Sequence, residues 1–137
     1  MKLDYEIKGG DFASAGSASS QVKKVLARLN LDPKLVRKTV VALYEAEVNV
    51  VAHAWSGQIS VDIDPSRIII SIKDKGPGIA SIDRAMEKGY STASQKVRDM
   101  GFGAGMGLPN IKNNTDKMSI SSVIEEGTHL QFENYIR

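Results

Sequence analysis

Polar and apolar residues alternate from Lys2 to Lys8, with Leu3, Tyr5 and Ile7 on one side, and predict a short strand. Gly9 to Ser20 is dense in Gly, Ala and Ser. It predicts a loop and the start of a helix, with Ser17 or Ser19 as N-cap. Val22, Val25, Leu26 and Leu29 then recur at helical spacing and form one core face. Asn30 to Pro33 breaks the pattern, and Asp32 before Pro33 reads as an N-cap with proline at the first helical position. A long helix follows to about Ala54, with Gly57 as its stop. Leu35, Val36, Thr39, Val40, Leu43, Ala46, Val50 and Val51 give it so wide an apolar surface that it is expected to be largely buried.

Gln58 to Ile63 and Arg67 to Lys73 read as strands joined at Asp64-Pro65-Ser66, and the β-branched run from Ile68 to Ile72 predicts a central strand. Ser81 to Lys88 predicts a short helix, Gly89 to Met100 a mobile loop, and Leu108 to about Asn114 a helix. Met118 to Ile124 and Thr128 to Tyr135 make a second hairpin around Glu125-Glu126-Gly127. With neither repeats nor linker, residues 1–137 are expected to form a single α+β domain, with helices on one face of a mixed sheet.

Composition narrows the function. A chain of 137 residues can bury a real core, and its net charge of +2 gives no whole-molecule field suited to nucleic acid. The absence of cysteine excludes disulfides, thiolate nucleophiles and cysteine metal sites. No apolar run reaches the roughly 20 residues needed to span a bilayer. Asp4, Glu6 and Lys8 interrupt any signal-peptide core, so no membrane association and a cytoplasmic location are expected.

Three segments carry candidate chemistry. Glu45, Asn49 and His53 recur at i, i+4 and i+8, each rotated only about 40° from the last, and share one helix face. A carboxylate and an amide side by side on an apolar helix need partners. Mg²⁺, water and phosphate oxygens would supply them: Asn49 suits the ion and Glu45 suits proton acceptance from an attacking hydroxyl. A solvated stripe is the alternative, and His53 also suits a helix-end packing role. Glu47, about 200° around the helix from Glu45, is expected at the surface. Asp74 ends the Ile68 to Ile72 strand ahead of Gly76 and Gly78. It can accept a hydrogen bond from an exocyclic amine while the glycines admit a planar base, although Asp-x-Gly-Pro-Gly is also ordinary turn chemistry. Gly101, Gly103, Gly105 and Gly107 precede a helix start, a pattern suited to a phosphate chain or to a flexible loop, but neither a Walker A nor a Rossmann sequence. Lys88, Lys96, Arg98 and Lys112 suit phosphate contact or plain solvation.

The order of these segments resembles the GHKL superfamily, whose ATP-binding (Bergerat) fold, a two-layer α/β sandwich, is shared by gyrase-type topoisomerases, heat-shock chaperones, histidine kinases and mismatch-repair ATPases. Glu45 to His53 resembles its N box, Asp74 to Ile79 its first glycine box, and Gly103 to Leu108 its second. Gly127-Thr128 resembles a further motif whose threonine supports the adenine-binding aspartate. Within the superfamily the chain is most similar to the small serine-protein kinases of bacterial partner switching, the anti-sigma factors and stressosome-type kinases. That likeness rests on the run from Ala42 to Ala46 with Asn49 and His53-Ala54-Trp55, on Lys88 to Thr92, and on Gly105-Met106-Gly107-Leu108-Pro109. Ser94 to Met100 departs from it as a longer lid.

The resemblance implies ATP and Mg²⁺ as cofactors, Glu45 as catalytic base and Asn49 as magnesium ligand. Asp74 would contact adenine, bordered by Gly76, Gly78 and Ile79. Gly103, Ala104, Gly105, Met106, Gly107 and Leu108 would cover the phosphates, with His53 and Thr128 completing the nucleotide site. The implied activity is a serine/threonine protein kinase acting on a STAS-domain partner. A sigma factor and a second copy of the chain are further partners carried over from some relatives. The alternative is an ATP-gated anti-sigma or regulatory module with little phosphotransfer. A detached histidine-kinase catalytic domain fits less well, because the Glu45 to Asn49 helix suits the serine-kinase branch.

Overall fold

The computed structural model describes residues 1–87 and 107–137. The expected loop from Gly89 to Met100 and the glycines at 101, 103 and 105 lie outside those residues. In chain order the elements are β1 (Lys2–Lys8), a 3₁₀ turn (Phe12–Ser14), α1 (Ser17–Ala27), α2 (Pro33–His53), β2 (Ser56–Ile63), β3 (Arg67–Lys75), α3 (Ile82–Ala85), α4 (Gly107–Asn113), β4 (Lys117–Val123) and β5 (Gly127–Tyr135).

The strands form one sheet in the order β1-β2-β3-β5-β4. Among the described residues every pairing is antiparallel, which corrects the expectation of a mixed sheet. The reason is topological. β4 runs in the same sense as β3, but β5 lies between them and pairs with both, so no parallel neighbours meet.

Side-chain alternation sets the two faces. Ile59, Val61 and Ile63 oppose Ile72, Ile70 and Ile68, and Ile70 and Ile72 oppose Phe132 and Leu130, building a buried layer across three strands. Their intervening neighbours form the outer face, where Ser60 Oγ donates to Asp4 and Ser71 Oγ pairs with His129 Nε2 at 2.8 Å. Asp64 closes the β2–β3 turn by accepting from Ser66 N, Ser66 Oγ and Arg67 N, which holds its carboxyl below the usual range.

On the inner face, α2 packs against β1, β2 and β3, with α1 and α4 packed against α2. Asp32 caps α2 through Lys34 N with Pro33 at its start, as the sequence predicts. The helix stops at His53 by turning extended at Ala54, not at Gly57. Gly57 lies within β2, where a Cβ would come within 2.7 Å of Val50 Cγ1, so glycine lets the helix settle onto the strand. At the other end of α2 a buried polar cluster ties three elements together. Asn134 Nδ2 donates to Thr39 Oγ1 at 3.0 Å and Asn114 O at 3.1 Å, and its Oδ1 accepts from Asp116 N at 2.8 Å.

The cap of α1 is not a serine of its own. Gly16 is the N-cap residue, in the left-handed region at φ 94°, and it donates with Ala18 and Ser19 to Glu47 of α2. Glu47 Oε2 accepts from Gly16 N and Ala18 N. Its Oε1 accepts from Ser19 N at 2.9 Å and Ser19 Oγ at 2.6 Å. Glu47 is only 2% exposed, so the surface position expected for it is wrong. The far side of α2 faces α1, not water. A carboxylate there satisfies otherwise orphaned N–H groups and complements the positive end of the helix.

Candidate functional site

Glu45, Asn49 and His53 stand one turn apart along α2, all half-buried. The structure brings α4 against the first two. A Cβ on Gly107 would lie 2.7 Å from Asn49 Oδ1, so the backbone at the start of α4 abuts the Asn49 amide. One turn further along α4, Asn110 Nδ2 donates to Glu45 Oε1 at 3.3 Å. Leu108 is buried in the core cluster beside this contact. His53 closes the helix, and burial pushes its imidazole below the ordinary value.

Asp74 lies near the end of β3, opposite Gly57, and half-buried. Its Oδ1 accepts from Thr128 N at 3.0 Å. Burial raises its pKa above the usual carboxylate range, against the opposing pull of that N–H. The Gly127 backbone fits against the Asp74 carbonyl only because no Cβ intervenes, and its φ of 143° is one that glycine alone adopts readily. Thr128 thus meets Asp74 through its main chain, while its hydroxyl pairs with Ser122 Oγ at 2.8 Å. Ser122 also accepts from Ile79 N at 2.8 Å and donates to Gly127 O. Gly76 is buried against Ala54 and donates its N–H to Glu126 O. Gly78, at φ 78°, approaches Val123 O, where a Cβ would stand at 2.6 Å. The Asp74 to Ile79 turn is therefore held from behind by the β4–β5 hairpin.

Gly107 and Leu108 are the described part of the second glycine segment; Gly103, Ala104, Gly105 and Met106 lie outside the described residues. The sequence reading missed Glu47, Asn110 and Ser122. Ser122 looks like one polar member of an alternating strand. Asn110 looks like an ordinary residue of a helix's first turn. Glu47 did leave a trace: α1 begins with no acidic cap of its own, while an unmatched glutamate sits in an apolar helix.

A fit to nucleotide and metal can be judged from the donor set. An ionised carboxylate offers about four acceptor positions; at Asp74 the Thr128 N–H takes one on Oδ1, which leaves Oδ2 suited to an amine. Among the described residues no three His, Cys, Asp or Glu side chains group as metal ligands. Asn49 would therefore share Mg²⁺ with phosphate and water oxygens, the usual manner of this ion.

An antiparallel sheet is layered under helices, and the amide and carboxylate of α2 face the glycine-led start of α4. The chain belongs to the histidine kinase-like ATPase domain family, whose model matches residues 11–133. The serine/threonine-protein kinase RsbT of Bacillus subtilis is 31% identical over 131 residues, covering 93% of this chain and 90% of that protein. An anti-sigma F factor of a Geobacillus species is 31% identical over 105 residues, covering 72% of this chain and 67% of that protein. The structure of a mycobacterial sensor histidine kinase, MprB, superposes with a TM-score of 0.57 at 16% identity, covering all of this chain and 99% of that one. This last likeness is one of fold.

The Asp74 environment makes a prediction about stability. A carboxyl whose pKa is raised by folding binds its proton more tightly in the folded state. The stability it contributes is complete below its unfolded value and is lost as pH rises through its folded value. Ionised Asp74 therefore costs stability at neutral pH. Asp74→Asn keeps an oxygen for Thr128 N and removes the buried charge. Its Tm at pH 7 is expected to exceed that of the unsubstituted protein, and the gap to close on acidification through the carboxylate range. Thermal unfolding across pH checks this; a lower Tm for the variant at pH 7 contradicts it.

Proposed function

We propose that the protein is an ATP- and Mg²⁺-dependent serine/threonine protein kinase of a bacterial partner-switching system, with residues 1–137 acting as one catalytic domain and a STAS-domain protein as substrate. The observation that carries this reading is Glu45. It is a half-buried carboxylate one turn from Asn49, at the contact between α2 and the helix that follows the glycine segment. The 31% identity to a serine/threonine-protein kinase over nearly the whole chain supports it.

In this reading Asp74 accepts the adenine amine, and Gly76, Gly78 and Ile79 border the ring. Gly103 to Leu108 cover the phosphates, and His53 and Thr128 complete the nucleotide site. Asn49 holds Mg²⁺, which when bound neutralises charge developing on the transferred phosphoryl group. Glu45 accepts the proton of the attacking Ser or Thr hydroxyl. The burial of Asp74 makes its hydrogen bond to a ligand stronger than it would be in water.

The likeness to anti-sigma F factors favours a second reading, an ATP-gated module that captures a sigma factor or another regulator. Incubation with radiolabelled ATP, Mg²⁺ and a candidate STAS-domain protein separates the two. Label appearing on a Ser or Thr of the partner supports the kinase. Tight ATP-dependent partner binding without label supports the module.

A further inference from the structure

The proton acceptor of this site has a neighbour whose role is open. α2 and α4 run antiparallel, and their contacts fall in step: Gly107 lies against Asn49, and Asn110, one turn on, meets Glu45, one turn back. A carboxylate only accepts hydrogen bonds, so the amide must turn its Nδ2 toward Oε1, as it does at 3.3 Å. The other end of α4 is fixed as well. Asn114 Nδ2 donates to Asn110 O at 2.8 Å, and Asn114 O accepts from the buried Asn134, which also holds Thr39 of α2. The main chain carrying Asn110 is thus braced against α2 and β5 rather than left free to drift.

We propose that Asn110 is a positioning residue for Glu45. By engaging Oε1 it fixes the plane of the carboxylate and leaves Oε2 directed to the proton it takes. A neutral amide suits this task. It orients the base without placing beside it a positive charge that would weaken proton acceptance. The contact is long for a hydrogen bond of this kind, and such bonds tighten in the reactive complex. The assignment rests on the reading of Glu45 as the catalytic base.

The test uses purified full chain with Mg·ATP, following ATP hydrolysis under single turnover and transfer to a STAS-domain partner. Asn110→Ala, Asn110→Asp and Asn110→Gln are compared with Glu45→Ala. Asn110→Ala should lower kcat about tenfold to a hundredfold, the cost of a small misplacement of a reacting group. KM for ATP and the ATP dissociation constant should stay within about twofold of the unsubstituted protein, a change of under about 0.5 kcal/mol. Asn110→Asp keeps the shape and removes the donor, so it should fall at least as far. Asn110→Gln keeps a donor and should recover part of the rate. If only the shape of the residue matters, Asn110→Asp will be the mildest of the three, and the proposal is overturned. It is also overturned if Asn110→Ala turns over normally while Glu45→Ala is inactive. Equal turnover by Glu45→Ala and the unsubstituted protein points elsewhere: it removes the catalytic-base reading and the Asn110 assignment with it.

Discussion

Glu45→Ala is expected to bind ATP with little change and to lose phosphotransfer by about a hundredfold to ten-thousandfold, the usual contribution of a positioned general base. Glu45 is half-buried, and its one described hydrogen bond is the amide of Asn110. Among the described residues truncation therefore strands no side-chain partner other than the half-buried Asn110 amide, and the fold should survive. Asp74 and its support from Thr128 and Ser122 lie on β3, β4 and β5, away from the altered turn of α2. Adenine recognition should persist for that reason. Single-turnover transfer measured beside calorimetric ATP binding checks both halves. Full transfer activity in the variant would end the case for Glu45 as base, whereas loss of ATP binding would place the residue in the nucleotide pocket instead.

Glu47→Ala should have the opposite signature. Its carboxylate accepts from three backbone N–H groups and one hydroxyl, and two of those N–H groups sit in the first turn of α1. Each buried donor left unpaired costs about 1–3 kcal/mol, and truncation also opens a void between two helices. A loss of about 3–5 kcal/mol is expected from several such donors left unpaired together. Against a total stability of about 5–15 kcal/mol that is a large share. Glu47→Gln retains one acceptor oxygen and should lose less. Urea unfolding measures the difference; a midpoint for Glu47→Ala within error of the unsubstituted protein would show that α1 caps itself.

Much of the fold is legible from period alone. β1, the Ile68 to Ile72 strand, the Asp32-Pro33 helix start and the length of α2 all follow from spacing and cap chemistry. What period does not contain is which strands become neighbours. Nothing in Met118 to Ile124 says that its hairpin partner, not itself, will join Ile68 to Ile72. The antiparallel sheet follows from that choice. Glu47 escaped for a related reason. A helical wheel divides α2 into a core side and a water side, yet this helix is covered by the sheet, α1 and α4 together.

The candidate site was legible as a conjunction of segments that meet in space. Asp74, Gly127 and Thr128 do converge, although Thr128 acts through its main chain and its hydroxyl goes to Ser122. Gly107 and Asn49 also meet, and Asn110 joins Glu45, because two helices antiparallel in space bring together residues more than fifty positions apart in sequence.

In the proposed kinase, two glutamates two positions apart on α2 divide their duties completely. In a population of variants scored both for cellular abundance and for signalling, substitutions at position 47 should deplete the protein itself. Substitutions at position 45 should leave a full complement of silent molecules. Such silent molecules would still compete with active ones for the partner, so a defect at Glu45 should be dominant where a defect at Glu47 is recessive.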